Sequence, residues 1–115
     1  MSWNNICKIS DIVPNGARAA LIDGEQVAIF RIQQGDSEQL FAISNYCPFS
    51  KANVLSRGLV GSIGETLVVA SPIYKEHFNL ATGQCIEDED VKLKCWSVQL
   101  DGDTIQVQSA DAKAA

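Results

Sequence analysis

Apolar and polar residues alternate along most of the chain in short stretches that are separated by turn-forming residues. A period of two in hydrophobicity is typical of a strand with one buried face. The stretches that predict strands are 6–8, 17–22, 26–33, 40–44, 59–61, 66–70, 78–80, 84–86, 93–100 and 104–108. Many short strands with frequent turns indicate an all-β fold, either an antiparallel β-sandwich or a barrel with little helix.

Turn signals support this prediction. Asp23-Gly24 lies between two predicted strands and favours a tight hairpin, because both residue types tolerate positive φ. Similar signals occur at 64–65 and 101–102. Only 9–14 reads as a helical turn, and Pro14 ends it because the residue before a proline avoids the helical region.

Length and composition indicate one domain. The chain has 115 residues, of which 46% are hydrophobic, so a single core of ordinary size is expected. We predict one domain over 1–108. The residues of 109–115 are small and polar, and we expect a disordered tail there.

Charge and cysteine usage exclude several classes of protein. The net charge is −5 and the nine basic residues are scattered, which argues against a nucleic-acid-binding surface. Neither a signal peptide nor the ~18 consecutive apolar residues of a membrane span is present. We therefore expect a cytoplasmic protein with reduced thiols. The cysteines are Cys7, Cys47, Cys85 and Cys95.

Two proline-containing loops carry the most specific signal. The first reads Cys-Pro-Phe-Ser-Lys-Ala at 47–52 and continues to Leu-Ser-Arg-Gly at 55–58. The second runs from Ser71 to Leu80 as Ser-Pro-Ile-Tyr-Lys-Glu-His-Phe-Asn-Leu, followed by Thr-Gly at 82–83. Together with the strand order they resemble the two metal-binding loops of a Rieske-type ferredoxin domain. The resemblance covers most of the chain, and it implies a Rieske-like fold from which two loops project.

The resemblance also implies that the metal ligands have been lost. A Rieske [2Fe–2S] centre needs two thiolates and two imidazoles. The corresponding positions in this chain are Cys47, Phe49, Ser71 and Tyr74, of which only Cys47 could bind iron. We therefore expect no cofactor, no metal and no catalytic residue in this chain. Removing a cluster leaves a void, and we expect the large side chains of Phe49, Ile73 and Tyr74 to fill it.

Within this family the chain is similar to the small subunit of bacterial assimilatory nitrite reductase that uses NAD(P)H. Supporting segments are 27–31, 41–45, 54–59, 69–72 and 85–89. That resemblance implies a large-subunit partner that carries FAD, a [4Fe–4S] cluster and sirohaem and reduces nitrite to ammonia. This chain would be an accessory subunit. Its loop tip would dock on the partner through Pro48, Phe49, Arg57, Pro72, Ile73, Tyr74 and Lys75.

Two alternative functions stay open at this point. One is a Rieske-type [2Fe–2S] electron carrier with an atypical ligand set. The other is a free-standing interaction module that serves a different oxidoreductase.

The remaining candidates for chemistry favour structural interpretations. His77, the single histidine, is expected to lie at the surface or to be hydrogen-bonded, since its spacing from Cys47 and Cys85 does not favour a zinc site. The acidic run 87–90 is expected to be a solvated loop. The aromatic residues expected in the core are Trp3, Phe30, Phe41 and Trp96.

Overall fold

The computed structural model describes residues 3–73 and 75–108, without the side chain of Gln34. The described part of the chain forms twelve strands, and all strand pairings are antiparallel. Two short 3-10 turns, Ile9–Asp11 and Leu55–Arg57, interrupt them. The strands are β1 Trp3–Lys8, β2 Gly16–Ile22, β3 Glu25–Gln34, β4 Ser37–Ser44, β5 Tyr46–Cys47, β6 Ala52–Asn53, β7 Leu59–Ile63, β8 Thr66–Ala70, β9 His77–Asn79, β10 Cys95–Trp96, β11 Val98–Asp101 and β12 Thr104–Gln108.

The larger part of the fold consists of two sheets with one core between them. A four-stranded sheet has the order β10-β4-β3-β2, and a three-stranded sheet has the order β1-β12-β11. Their shared core contains buried apolar side chains from both sheets. Trp96 is its largest side chain and is 3% exposed. The all-β prediction is confirmed by this arrangement.

A second core lies on the other side of the four-stranded sheet. Because side chains alternate across a strand, Val27 and Ile29 of β3 enter the first core, whereas Ala28 and Phe30 enter the second. All four side chains are fully buried. The second core also receives side chains from the small sheet β7-β8-β9 and from the loop regions beside it.

Several predicted elements hold and several are wrong. The hairpin at Asp23-Gly24 is confirmed, with φ of 50° and 82° at the two residues. Residues 84–86 form isolated bridges instead of a strand. The stretch 93–100 is two strands, because Cys95–Trp96 pairs with β4 while Val98–Asp101 pairs with β12.

Two further details of the prediction are corrected. The last turn lies one residue later than expected, because Asp101 pairs with Thr104. Trp3 is 37% exposed on an edge strand, so it is not a core residue, while Phe30, Phe41 and Trp96 do pack in the two cores. The predicted tail, 109–115, lies outside the described residues. Within the described ranges no helix is long and apolar enough to span a membrane.

Candidate functional site

The first loop is fixed to the sheet by a buried asparagine. Asn45 is 1% exposed. Its side-chain amide donates to Gln26 Oε1 at 3.0 Å, and its Oδ1 accepts a bond from the Ser56 backbone N–H at 2.7 Å. The Asn45 carbonyl accepts a second bond from Leu55 N–H at 3.1 Å. These bonds hold both ends of the first loop against β3, so its tip starts from a rigid base.

The two loops share one backbone construction. In the first, the Lys51 N–H donates to the Cys47 carbonyl at 2.7 Å; in the second, the Lys75 N–H donates to the Ser71 carbonyl at 3.0 Å. Each lysine has a positive φ, 56° and 65° respectively. Each loop is thus a tight turn that begins at a position predicted to correspond to a thiolate ligand. Positive φ at a lysine is uncommon, and we did not predict these turns from the sequence.

The first residues of the two turns, Cys47 and Ser71, lie next to each other. Cys47 Sγ and Ser71 Oγ are 3.6 Å apart, within hydrogen-bonding distance for sulfur, and both residues are buried. Phe49 is half-buried and packs against the second core, with its ring centroid 6.2 Å from that of Phe78. A direct polar contact and an aromatic contact therefore connect the loops to each other and to the core.

Phe49 and Ile73, both expected to fill the void between the loops, differ in burial. Phe49 turns inward, as predicted. Ile73 is 50% exposed, so the expectation that it packs between the loops is wrong. The position of Tyr74 lies outside the described residues. Proline rings at both loop tips are partly or fully exposed, as are Arg57 and Lys75.

The environment of Cys47 favours a thiolate more than its burial would suggest. Burial raises the pKa of the Cys47 thiol, but hydrogen bonds from Ser50, from Ser71 and from the Phe49 backbone N–H outweigh it, so the pKa lies below its ordinary value of 9.0. Among the described residues, Ser50 Oγ is buried and has no partner that meets hydrogen-bond geometry. It is therefore available to donate to the ionised sulfur.

The described side chains at the predicted ligand positions do not fit a [2Fe–2S] cluster. They supply one thiol, one hydroxyl and one phenyl ring, where the cluster needs thiolates and imidazoles. In 3–73 and 75–108, no group of three or more His, Cys, Asp or Glu side chains is placed to hold a metal ion.

A carboxylate beside the second loop holds the single histidine. Glu87 Oε2 lies 2.6 Å from His77 Nδ1, and Glu87 Oε1 accepts a bond from the His77 backbone N–H at 2.7 Å. Desolvation raises the pKa of Glu87, but these hydrogen bonds outweigh it and the pKa lies below its ordinary value of 4.5. The hydrogen-bonded histidine was predicted; the role of Glu87 was not, because we interpreted 87–90 as a solvated loop.

Glu87→Gln should remove a stabilising effect that depends on pH. A carboxyl whose pKa is lower in the folded state stabilises that state above its unfolded pKa, and the effect disappears as the pH falls through the folded value. We therefore expect the variant to be less stable than the wild type at pH 7, with the difference shrinking below pH 4.5. Urea titrations across this range measure it. Glu89→Gln removes an equal charge from the same run and should show no such trend.

The sequence matches the Rieske-like [2Fe-2S] domain family over residues 2–108. The nitrite reductase (NADH) small subunit of Salmonella typhimurium is 47% identical over 92% of this chain and 96% of its own length. The chain is a member of the nitrite reductase small-subunit family of Rieske-like domains. A nitrite reductase [NAD(P)H] large subunit from Klebsiella oxytoca also contains a region 32% identical to 91% of the chain, which covers 11% of that large subunit.

Solved structures of the small-subunit family agree with this assignment. A putative NADH-dependent nitrite reductase small subunit from Mycobacterium tuberculosis superposes with a TM-score of 0.85 at 36% identity, covering 92% of this chain and 93% of the other. The ferredoxin of carbazole 1,9a-dioxygenase from Nocardioides aromaticivorans shares the fold, with a TM-score of 0.78 at 24% identity over 95% of this chain and 99% of that one. The predicted Rieske-like fold is confirmed.

Proposed function

We propose that this chain is the non-catalytic small subunit of a cytoplasmic NAD(P)H-dependent nitrite reductase, which reduces nitrite to ammonia. The observation that carries the proposal is the near full-length similarity to the Salmonella small subunit. In this proposal the large subunit carries the FAD, the [4Fe–4S] cluster and the sirohaem, and the small subunit supports it by contact. All four cysteines lie in the described ranges and none is in a disulfide there, which is in keeping with a cytoplasmic location.

The Klebsiella large subunit supports a direct association. One region of that long chain resembles 91% of this chain. A domain that occurs inside a large subunit in one organism and as a separate chain in others is expected to lie against that large subunit in both cases. In the fused form, the peptide chain itself would keep this domain next to the rest of the large subunit.

The contacts between the loops support a role without a cluster. Cys47 forms a hydrogen bond with Ser71, and Phe49 packs on Phe78. These contacts connect the loops in the region where a ferredoxin of this fold has its iron, so the domain can keep its shape without metal. Such a framework can present a docking surface, and in this proposal it carries no electrons between partners.

The deciding experiment is purification from the native host without oxygen. We expect colourless small subunit, without stoichiometric iron or sulfide, that co-purifies with a large flavoprotein. Red-brown material with thiolate-to-iron absorption would instead establish an electron-carrying ferredoxin with an atypical ligand set. Stable recovery with a different oxidoreductase would establish an interaction module that serves another enzyme.

We further propose that the loop tip forms part of the contact with the large subunit. The exposed members of the predicted docking set are Arg57, Pro72, Ile73 and Lys75, while Pro48 is half-buried. Tyr74 remains in the proposal on the sequence alone. Phe49 turns towards the core, so its main effect on docking would be to hold the loop in place.

A further inference from the structure

Two exposed apolar side chains lie at the loop end of the small sheet. Leu59, the first residue of β7, is 77% exposed, whereas Ile63, 45% exposed, lies at the opposite end of the strand. Ile73, in the second loop, is 50% exposed. Single exposed leucines are ordinary on protein surfaces, so the position of Leu59 relative to its neighbours decides what it means.

Strand pairing places Leu59 in a row that leads to the loops. Leu59 pairs with Ala70, and Ala70 pairs with His77, so the three side chains lie on one face of the sheet. Ala70 directly precedes the second loop, and His77 directly follows it. Arg57 ends the 3-10 turn just before β7. This face is therefore continuous with the loop tip, and it extends the tip onto the flank of the sheet.

Two cations without ion pairs flank this face. The chain is acidic overall. Neither Arg57 nor Lys75 has a carboxylate within ion-pair distance in the part of the chain that the structure describes, and both are exposed. Among the other described lysines and arginines, Lys8, Arg31 and Lys94 form ion pairs, whereas Arg18, Lys51 and Lys92 form none. Unpaired cations around an apolar centre are complementary to an acidic surface with an apolar patch.

β7 also lacks the usual protection of an edge strand. It lies at one side of its sheet and reads Leu-Val-Gly-Ser-Ile, without a charge or a proline. Proteins commonly use charges or prolines to prevent exposed edges from associating. An edge without either is expected where another chain covers it.

We propose that the large subunit covers the outer face of β7 around Leu59, with Arg57 and Lys75 facing its carboxylates. This inference rests on the proposed function and names the surface that performs it. The contact would extend beyond the loop tip to a face that the sequence did not indicate, and Leu59 would lie at its apolar centre.

Binding of the purified large subunit from the same organism tests the proposal, with Leu59→Glu and Leu100→Glu as a matched pair. Leu100 is 44% exposed on β11, an edge strand of the three-stranded sheet, so it is accessible but belongs to a different sheet from Leu59. Both variants should unfold near the wild-type temperature, because neither leucine is buried. We expect Leu59→Glu to weaken binding at least about tenfold, the loss typical of a central interface residue, and Leu100→Glu to bind as the wild type does.

Each other outcome has a distinct meaning. Wild-type chain that does not bind the large subunit contradicts the proposed function itself. Wild-type affinity in both variants contradicts the docking face while leaving the proposed function intact. If the isolated wild-type chain forms a dimer that Leu59→Glu dissociates, the face is a contact between copies of this chain, and the proposal is overturned.

Discussion

Gly58→Ala is expected to destabilise the domain strongly, because the added methyl group has no space. A Cβ built at Gly58 lies 2.3 Å from the Ala70 carbonyl oxygen and 2.7 Å from Val69 Cγ2. The first contact is with backbone, so it cannot be relieved by rotating a side chain. We expect a loss of about 3 kcal/mol, the upper end for overpacking a core. Urea unfolding followed by tryptophan fluorescence measures it.

The same contact connects stability to the candidate site. Gly58 follows the first loop, and Ala70 precedes Ser71 of the second loop. Separating them should pull Ser71 from Cys47 and weaken the contact between the loops. We therefore expect Gly58→Ala to weaken binding of the large subunit in addition to lowering stability.

Gly61→Ala provides the control for this prediction. Gly61 lies in β7, three residues after Gly58, and a Cβ built there has no neighbouring atom within 4 Å. Neither glycine has a positive φ. The control should be neutral or stabilising by up to about 1 kcal/mol, since alanine loses less backbone entropy on folding than glycine. Equal destabilisation by both variants would contradict the steric explanation.

The sequence predicted the sheets well because their signal is local. Alternation along 26–33 and a turn pair such as Asp23-Gly24 are properties of adjacent residues, and the resulting hairpin formed with the expected connection. The break inside 93–100 is different. Both halves are equally strand-like, and only the distant partners, β4 for Cys95 and β12 for Val98, determine that the strand changes sheets at Ser97.

At the candidate site, too, the position of a side chain depends on distant partners that the local sequence does not reveal. Phe49 and Ile73 both follow a proline at a loop tip, and both are large and apolar. Phe49 turns inward because Phe78 offers its ring a packing partner, whereas Ile73 is half-exposed. The docking face was missed for a related reason. Leu59 begins a predicted strand, but the face on which it lies depends on the pairing of β7 with β8.

Gln84→Glu is the second change with a large expected effect, since it replaces hydrogen-bond donors with acceptors beside the acidic segment 87–90. Gln84 Nε2 lies among four backbone carbonyl oxygens, those of Cys85, Asp88, Glu89 and Val91, at 3.3, 3.3, 3.1 and 2.9 Å. The amide group supplies donors where the backbone offers only acceptors. An ionised carboxylate supplies none, and it adds negative charge beside the carboxylates of 87–90.

Three variants separate the lost donor from the added charge. Gln84→Met keeps roughly the length of the side chain and removes the donors without adding a charge, so it should cost about 1–3 kcal/mol, the range for leaving buried polar groups unpaired. Gln84→Glu should cost more, because the carboxylate also faces the oxygens directly. Gln99→Glu makes the same chemical change at an exposed hydrogen-bonded glutamine and should shift stability by no more than about 0.5 kcal/mol. Urea midpoints rank the three, and a glutamate at position 84 that is tolerated as well as methionine would show that the loop rearranges instead of keeping its carbonyls directed at that side chain.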